Sequence, residues 1–470
     1  MTIDVESDLN SSTCVIKHGA LNLPFRRGKR SLEEIALRYG TTTQTIKIPS
    51  RNLVCVAKSH SLPSISDEES MITETLNEPI GSPTLEEIVS SNRKVAVIFD
   101  DYTRFTPTHK ILPFILKRLE KAGVRKENLS LVMATGAHKR PTPEQIKKKV
   151  GDEVLETYKV YVHDCLDKDE LVLLGFSSFG TPVWINRRVA EADVKIAVGG
   201  VKPHPWAGFG GGAKILLPGV SAWEAIGRNH TLTISDNARY GRIEGNPVRK
   251  DIEEVAKKVG LDIVINTVLD DEKRVVDVVA GDFIEAHRKA VETSRKLFEN
   301  KLREEVDILI IAFGPRDDNL WNVLTGKFAG VKKILKDGGT LILVAACPDG
   351  VYKYGIGHVD YTGKVADYSG LIELLKSGVG PEEVLSEAIR GKAPYLEVGV
   401  KAYLLARLAK TKDVVIVSQG LKEEDVSWLG KLTNSAQEAL DEALETQGGD
   451  AEIAVLPDFN VSNAYLITPL

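Results

Sequence analysis

The stretch of residues 199–230 brings together residue types that can do chemistry in a span too short to be a domain. It reads GGVKPHPWAGFGGGAKILLPGVSAWEAIGRNH, with His204, His230 and, inside a glycine cluster, Lys214. Each glycine raises the entropic cost of ordering the backbone, and no packing requirement asks for this combination. We therefore expect a site at which the backbone comes close to a ligand.

Two standard glycine motifs fit this stretch poorly. A P-loop needs Ser or Thr directly after its lysine, whereas Ile215 follows Lys214, so the hydroxyl that would hold magnesium is missing. A dinucleotide fingerprint through Gly208, Gly210 and Ala213 lacks the strand that must precede it, because a proline-rich run stands there. The remaining prediction is physical: exposed N–H groups of the glycine cluster cradle an anion beside a cationic lysine.

Other polar residues follow short apolar runs that have the composition of strands. The ends of four such runs are residues 100–104, 135–138, 163–164 and 199–204. Open α/β sheets bind ligands at the carboxyl ends of their strands, so we expect these segments to meet at one sheet edge. Taken singly, Asp101 is explained as a helix cap, Arg104 as its salt-bridge partner and His138 as a loop histidine. Taken together, they indicate a site.

The third strand end, His163-Asp164, has two interpretations. A carboxylate can orient an imidazole for catalysis, but residues adjacent in sequence need not touch. We therefore favour a structural role for His163.

The elements that position these residues alternate between apolar β-branched runs and amphipathic helices, which is typical of parallel sheets covered on both faces. A first set of predicted strands lies at 95–99, 129–134, 159–162, 182–186 and 194–198, with helices at 108–122 and from 142. A second set has strands at 307–314, 340–345, 414–417 and 453–456, with helices from 319 and at 370–376, 381–389 and 395–408. The helix at 283–298 joins the two sets. The pattern predicts two α/β domains with mainly parallel sheets, residues 1–282 and 283–470, and a ligand site in the cleft between them.

Length and composition limit the class of protein. A chain of 470 residues is too long for one hydrophobic core. The net charge of −5 and the absence of a basic stripe exclude nucleic acid as a main partner. No apolar run has signal-peptide or membrane-helix character, which predicts a cytoplasmic protein with no membrane partner. The four cysteines, Cys14, Cys55, Cys165 and Cys347, lie far apart and are predicted to be free thiols.

As a set, these residues resemble the lactate racemase family, the nickel-pincer-nucleotide enzymes. The segments that carry the resemblance are Asp101-x-Thr103-Arg104, Thr135-Gly136-x-His138, His163-Asp164, Pro203-His204, Gly-Gly-Ala-Lys214, Leu217-Pro218-Gly219 and Asn229-His230. The spacings of 10 residues from His204 to Lys214 and 16 from Lys214 to His230 also match the family pattern. The resemblance covers nearly the whole chain and is far more specific than any single motif.

The resemblance implies a 2-hydroxy acid racemase or epimerase with a nickel-pincer nucleotide, a pyridinium-derived mononucleotide that holds nickel through one carbon and two sulfurs. Lys214 would join this cofactor through a thioamide. His230 would supply the fourth nickel ligand, and imidazole suits nickel. The remaining cofactor-binding residues would be Thr103, Gly210, Gly211 and Gly212. Cofactor-synthesis enzymes would be partners during maturation, and the cofactor site would lie in the cleft.

The same resemblance implies an acid/base pair, His138 and His204. One histidine would take the hydroxyl proton from one enantiomer and the other from its mirror image, while the carbinol hydrogen leaves as hydride. Arg104 would polarise the developing carbonyl oxygen, and Asp101 would lie in the same pocket.

One helix departs from the family pattern. Lactate racemase has a glutamine and, three residues later, a lysine on the first helix of its second domain, both of which reach the substrate carboxylate. Asn322 and Thr325 stand at those places here, and Lys327 compensates only if the helix is shifted. We therefore predict that lactate is not the best substrate and that a 2-hydroxy acid with a larger or more polar side chain is preferred.

Two alternatives of other classes remain. One is a non-catalytic nucleotide- or sugar-phosphate-binding protein, which has no need for all three histidines. The other is a conventional zinc or magnesium enzyme that uses His138, His204 and His230. That alternative predicts activity without covalent modification of Lys214.

Overall fold

The computed structural model describes residues 31–315, 319–324, 333–351, 369–393, 396–459 and 466–469. Its strands, in chain order, are β1 (Leu32–Tyr39), β2 (Thr42–Pro49), β3 (Leu53–Val56), β4 (Val95–Asp100), β5 (Leu129–Ala134), β6 (Val160–Val162), β7 (Leu171–Phe176), β8 (Pro182–Asn186), β9 (Val194–Gly200), β10 (Pro203–His204), β11 (Gly208–Phe209), β12 (Ile263–Leu269), β13 (Val275–Gly281), β14 (Glu299–Leu302), β15 (Val306–Phe313), β16 (Leu335–Val344), β17 (Asp413–Val417), β18 (Lys431–Thr433), β19 (Ile453–Phe459) and β20 (Leu466–Pro469).

The α-helices of the same residues alternate with these strands over most of the chain. They are α1 (Glu68–Asn77), α2 (Leu85–Ile88), α3 (Thr108–Lys121), α4 (Pro143–Val150), α5 (Asp152–Thr157), α6 (Arg187–Ala190), α7 (Trp223–Thr231), α8 (Pro247–Val259), α9 (Glu285–Phe298), α10 (Leu320–Leu324), α11 (Ser369–Lys376), α12 (Pro381–Glu387), α13 (Leu396–Thr411), α14 (Glu423–Val426) and α15 (Ala436–Gln447).

A six-stranded sheet in the order β13-β12-β9-β4-β5-β6 positions the strand ends singled out above. All its neighbours pair in parallel except β12 and β13, which are antiparallel. The carboxyl ends of β4, β5, β9 and β12 therefore lie at one edge. The predicted strand at 182–186 is present as β8, but it pairs with β7 in a separate antiparallel hairpin.

The second sheet has eight strands, with β18-β17-β16-β15-β1-β2 as its main path and with β19 paired to both β15 and β3. Its pairs are parallel apart from β1 with β2. The strands β1 to β3 were not predicted from the sequence. Strand β2 pairs with its neighbour β1, whereas β1 and β3 also pair with β15 and β19, which lie hundreds of residues away along the chain. The division at residues 282 and 283 stays a prediction, but sheet pairing groups residues 32–56 with the later strands.

Both sheets are covered on two faces, because alternate residues of one strand point to opposite sides. On β4, Ala96 and Ile98 pack in one apolar cluster, whereas Val97 and Phe99 pack in another. On β15, the residues of the 308–313 run divide between two clusters in the same way. The predicted α/β class with mainly parallel sheets is confirmed.

Cys55, Cys165 and Cys347 are buried and form no disulfide within the described residues, and Cys14 lies outside them. In the described part of the chain, no helix has the length and apolar character needed to cross a bilayer. The cytoplasmic location stays a prediction.

Candidate active site

The loop after β4 is built around the carboxylate of Asp101. Asp101 is 1% exposed and accepts hydrogen bonds from the backbone N–H of Thr103 at 3.1 Å and from its hydroxyl at 2.6 Å. Arg104 Nη1 donates to the same hydroxyl at 2.9 Å. The helix-cap explanation for Asp101 is wrong, because α3 begins seven residues later with Pro107 at its cap. The side chain of Asp101 turns inward instead.

His138 reaches this carboxylate from the loop after β5. Its Nδ1 lies 2.6 Å from Asp101 Oδ2, and 27% of its side chain is exposed. Burial by itself raises the pKa of Asp101, but the charges of His138 and Arg104 outweigh it and hold the pKa below its usual range. The carboxyl is therefore ionised and accepts the Nδ1 proton of the ring. A neutral His138 then has its lone pair on Nε2, the arrangement of a general base.

His204 has the opposite arrangement. It lies on β10, and its Nδ1 accepts the backbone N–H groups of Trp206 and Ala207, both at 3.2 Å. The ring proton is therefore on Nε2. Burial, followed by the nearby cations Lys214 and Arg104, holds the pKa of His204 well below its usual value, so the ring is neutral. His138 thus presents a proton acceptor and His204 a proton donor.

Lys214 lies in the short 3₁₀ turn Gly212–Ile215. Burial, Arg249 and Arg104, in that order, hold the pKa of its amine well below the usual value. Within the described ranges, the amine has neither a hydrogen-bond acceptor nor a carboxylate partner. A lowered pKa increases the fraction of the nucleophilic, unprotonated amine, so Lys214 suits covalent attachment to a cofactor.

The glycines beside Lys214 have a packing explanation. A Cβ on Gly211 would lie 2.4 Å from Val201 Cγ2, and one on Gly212 would lie 2.9 Å from the His287 ring. Both glycines have positive φ, 71° and 58° respectively. The expectation that no packing requirement asks for this glycine cluster is therefore wrong.

Two N–H groups of the cluster are already used within the protein. Gly210 donates to the carbonyl oxygen of Lys202 at 2.7 Å, and Gly212 donates to Asn266 Oδ1 at 2.9 Å. The predicted anion cradle therefore cannot use these two donors. Contact of Gly210, Gly211, Gly212 and Thr103 with a cofactor stays a prediction.

His230 lies on α7, beside an aromatic ring that also approaches His204. The Trp206 ring centroid is 4.7 Å from that of His230 and 6.0 Å from that of His204. The preceding residue of the motif, Asn229, is buried and donates to Asp251 Oδ2 at 2.8 Å, which ties α7 to α8. Asn229 therefore positions the helix that carries His230.

His230 could be the protein ligand of a metal ion whose other ligands come from an organic cofactor. Over the ranges that the structure describes, no three His, Cys, Asp or Glu side chains are grouped so that they could hold a metal ion. A site made by His138, His204 and His230 together therefore has no support. A buried lysine with a lowered pKa and one imidazole fit the attachment point and the ligand that a covalently bound nickel-pincer group would require.

His163 has the structural role that we favoured. It is buried, its Nε2 lies 3.0 Å from the carbonyl oxygen of Ser221, and burial lowers its pKa to about 4. The contact ties the end of β6 to the segment that follows Lys214. Asp164 instead accepts the backbone N–H of Leu166 at 3.0 Å.

The substrate residues predicted on the second domain are only partly described. Asn322 lies on α10, and Thr325 and Lys327 lie outside the described residues. The predicted cleft between two domains stays a prediction.

Two buried cations near the site were not predicted. Arg249 on α8 is fully buried and donates from Nε to the carbonyl oxygen of Ala207 at 3.1 Å, so it supports the His204 hairpin. Lys401 on α13 is 7% exposed, and its Nζ lies 5.0 Å from the Trp206 ring centroid. Both belong to helices whose sequences read as ordinary amphipathic patterns, so only their tertiary contacts reveal them.

Comparisons with known proteins agree with this arrangement. Residues 39–241 match the family described as the lactate racemase N-terminal domain. The chain is 29% identical over 435 residues to lactate racemase from Thermoanaerobacterium thermosaccharolyticum, covering 91% of this chain and 98% of that protein. It is 29% identical over 434 residues to lactate racemase from Lactiplantibacillus plantarum, covering 90% and 98% respectively.

Two solved structures share the fold. The lactate racemase apoprotein from T. thermosaccharolyticum superposes with a TM-score of 0.78 at 28% identity, covering 93% of this chain and 100% of that one. A protein from Thermotoga maritima superposes with a TM-score of 0.60 at 18% identity, covering 87% of this chain and 100% of that one, a likeness that concerns the fold alone.

Proposed function

The chain belongs to the lactate racemase family and is an isomerase, and from this premise we propose that it racemises or epimerises a 2-hydroxy acid by reversible hydride transfer to a nickel-pincer nucleotide joined to Lys214. The observation that carries the proposal is a pair of histidines with opposite partners at Nδ1, namely the carboxylate of Asp101 for His138 and two backbone N–H groups for His204. Arg104 and Lys214 are close enough to lower the pKa of His204, which supports placing these residues in one site.

The cofactor supplies an electron-poor pyridinium ring as hydride acceptor, together with its nickel ion. Lys214 would hold it through a thioamide, because burial lowers the pKa of its amine and the described part of the chain places no carboxylate beside it. His230 would supply the protein ligand to nickel, held against the edge of Trp206.

The histidines manage the hydroxyl proton. His138 accepts it at Nε2, and the ionised Asp101 stabilises the positive charge that forms on the ring. His204 donates a hydrogen bond from its Nε2–H to the same oxygen, which the neighbouring Arg104 favours. The ketoacid is reduced again on either face, and the proton on His138 then returns to its oxygen. Arg104 polarises the carbonyl oxygen of the ketoacid.

The substrate is proposed to be larger or more polar than lactate. Asn322 and Thr325 replace a longer amide and a cation, and a lost charged hydrogen bond to a carboxylate typically costs about 1.5–3 kcal/mol. That is a factor of roughly ten to a hundred in efficiency toward a ligand as small as lactate.

A panel of enantiopure 2-hydroxy acids tests the substrate proposal through the loss of optical purity. The parent should turn over a sugar acid, an aryl-lactate or malate at least roughly tenfold more efficiently than lactate, and Asn322→Gln/Thr325→Lys should improve lactate turnover. If lactate is the best substrate of the parent, or the double change leaves lactate turnover unaltered, the helix is aligned wrongly and Lys327 becomes the carboxylate partner.

The reaction is tested by intact mass, nickel content and racemisation of the chain made with and without the cofactor-synthesis enzymes. Added mass, nickel and activity should appear together and only with those enzymes. Lys214→Ala should lose all three, whereas His230→Gln should keep the added mass and lose nickel. Active protein without added mass at Lys214 would contradict the proposal and revive the conventional metal enzyme. Protein that binds a nucleotide but never racemises would favour the non-catalytic alternative.

A further inference from the structure

Four polar side chains connect the helices α8 and α9 to the segments that carry Lys214 and His204. They are Arg249 and Glu253 on α8 and His287 and Arg288 on α9. Arg249 is 1% exposed and His287 is fully buried. Burying such groups is costly unless they are paired, so their contacts indicate what they do.

His287 contacts the loop of residues 210–215, which we call the Lys214 loop, at two points. Its Nε2 lies 2.8 Å from the carbonyl oxygen of Gly210. A Cβ added to Gly212 would lie 2.9 Å from the same ring, so the ring and the backbone are in close contact. The position of the Lys214 loop therefore depends on how this ring is held.

Arg288 fixes the tautomer of the His287 ring. Its Nη1 donates to His287 Nδ1 at 2.9 Å, and a guanidinium can only donate. The ring proton is therefore on Nε2, from which it is donated to the carbonyl oxygen of Gly210. Burial, followed by the charges of Arg249 and Arg288, holds the pKa of His287 well below its usual value, which favours the neutral ring that this arrangement requires.

Glu253 holds Arg288 from the neighbouring helix. The Nη2 of Arg288 lies 2.8 Å from one carboxylate oxygen of Glu253 and 3.0 Å from the other. The side chains are 15% exposed for Glu253 and 30% exposed for Arg288, so solvent screens this pair only partly. A first arm of contacts thus runs from Glu253 through Arg288 and His287 to the Lys214 loop.

A second arm runs from the same carboxylate to the hairpin of β10 and β11, which carries His204. Arg249 donates to the carbonyl oxygens of Ala207 and Phe209 in this hairpin. Its Nε lies 3.9 Å from Glu253 Oε1. Burial lowers the pKa of Arg249 to about 10, and the charge of Glu253 opposes this shift. The carboxylate is therefore the counter-charge of a buried cation.

We propose that Glu253 is a positioning residue, which fixes the Lys214 loop and the His204 hairpin relative to each other through these two arms. It acts through Arg249, Arg288 and His287. The consequence for catalysis rests on the proposed function, whereas the linkage between the two segments does not. A misplacement of about 1 Å in an active site can cost a factor of about 10² in rate, so such a linkage matters for the reaction.

Hydrogen exchange of the cofactor-free chain, followed by mass spectrometry of its peptides, tests the linkage without a racemisation assay. Glu253→Gln keeps the size of the side chain and removes its charge, so both arginines lose their counter-charge. Peptides from residues 203–216 should exchange at least roughly tenfold faster in this variant, whereas β4 and β5 should exchange as in the parent. Glu253→Asp, which keeps the charge, should restore part of the protection.

Arg288→Gln separates the two arms, because it breaks only the first. It should speed the exchange of residues 210–216 and leave residues 203–209 as in the parent chain. Equal effects on both segments would overturn the assignment of separate arms to one carboxylate. This residue is 30% exposed, so its replacement also tests the proposal if Glu253→Gln does not fold.

Glu254→Gln is the matched control on the same helix. The carboxylate of Glu254 accepts the backbone N–H of Ser178 at 2.6 Å and its hydroxyl at 2.5 Å, which ties α8 to the β7–β8 hairpin. The control should therefore speed exchange near residue 178 and leave residues 203–216 unchanged.

The cofactor-loaded chain shows whether the linkage serves catalysis. Glu253→Gln should lower kcat by roughly tenfold with little change in KM, because it disturbs geometry and removes no substrate contact. Unchanged exchange at residues 203–216, or exchange that rises equally throughout the chain, would overturn the proposal whether or not the chain racemises. Faster exchange confined to these residues in a chain that never racemises would support the linkage and count against the proposed function alone.

Discussion

The two histidines of the proposed active site are held by different kinds of partner. The Nδ1 of His138 lies 2.6 Å from a side chain, the buried carboxylate of Asp101. The Nδ1 of His204 instead accepts two main-chain N–H groups of its own hairpin, both at 3.2 Å. A carboxylate can only accept a proton from Nδ1, whereas an N–H can only donate to it.

The partner of Nδ1 decides what Nε2 offers to a substrate. Two residues of the same type can therefore present a proton acceptor and a hydrogen-bond donor. The dependence of Nε2 on the partner of Nδ1 can therefore be tested by replacing either the partner or the histidine.

The largest expected effect comes from removing the rings themselves. His138→Gln and His204→Gln should each lower the rate of racemisation by about 10²–10⁴-fold, the range for a general acid or base. Chiral chromatography of the reaction and thermal unfolding of the same samples would measure it. His163→Gln is the control, because it should lower the melting temperature rather than remove catalysis. Full activity in either active-site variant would remove the two-histidine mechanism.

A smaller effect is expected from the partner of His138. Asp101→Asn should lower the rate by about 10²-fold, because the amide neither carries the charge nor selects the Nδ1 tautomer. Thr103→Val, which removes only the hydroxyl that donates to Asp101 at 2.6 Å, should cost less than roughly tenfold. Equal losses in the two variants, measured as kcat and KM on the same substrate, would mean that Asp101 only shapes the loop.

Part of the proposed active site could be predicted from the sequence. Asp101, His138 and His204 each follow a predicted strand, and parallel pairing makes their convergence predictable. The pairing of Asp101 with His138 was not predicted, since it depends on how two loops fold over the sheet edge.

Other features could not be predicted because they depend on distant contacts. Strand β1 pairs with β15 and strand β3 with β19, and the sequence of residues 32–56 does not encode the positions of these partners locally. The close approach of Gly212 to the His287 ring also depends on a distant contact. Because the sequence does not show this contact, the glycine cluster was interpreted as a ligand site and its packing role was missed.

The smallest expected effect concerns His163, the third strand-end histidine, and appears in stability alone. Its pKa of about 4 lies below the unfolded value of 6.5, so the folded state favours the neutral ring. The contribution of His163 to the free energy of unfolding is therefore largest above pH 6.5. As the pH decreases from 6.5, the unfolded chain takes up a proton and this contribution decreases, until it levels off near pH 4. The loss amounts to about 3 kcal/mol.

Urea unfolding of the parent and His163→Gln across this pH range checks the expectation. The variant should be less stable at neutral pH but should lose less stability on acidification. His204 and His287, whose pKa values are also lowered by burial, contribute to the slope that remains. Parallel pH profiles for the two proteins would contradict a buried neutral His163.

The position of the ring protons is measured most directly by ¹⁵N NMR of histidine-labelled protein at neutral pH, with the signals assigned through His138→Gln and His204→Gln. The account predicts that His138 shows a protonated Nδ1 and an unprotonated Nε2, and that His204 shows the reverse. The same tautomer in both rings, or a doubly protonated His204, would contradict it.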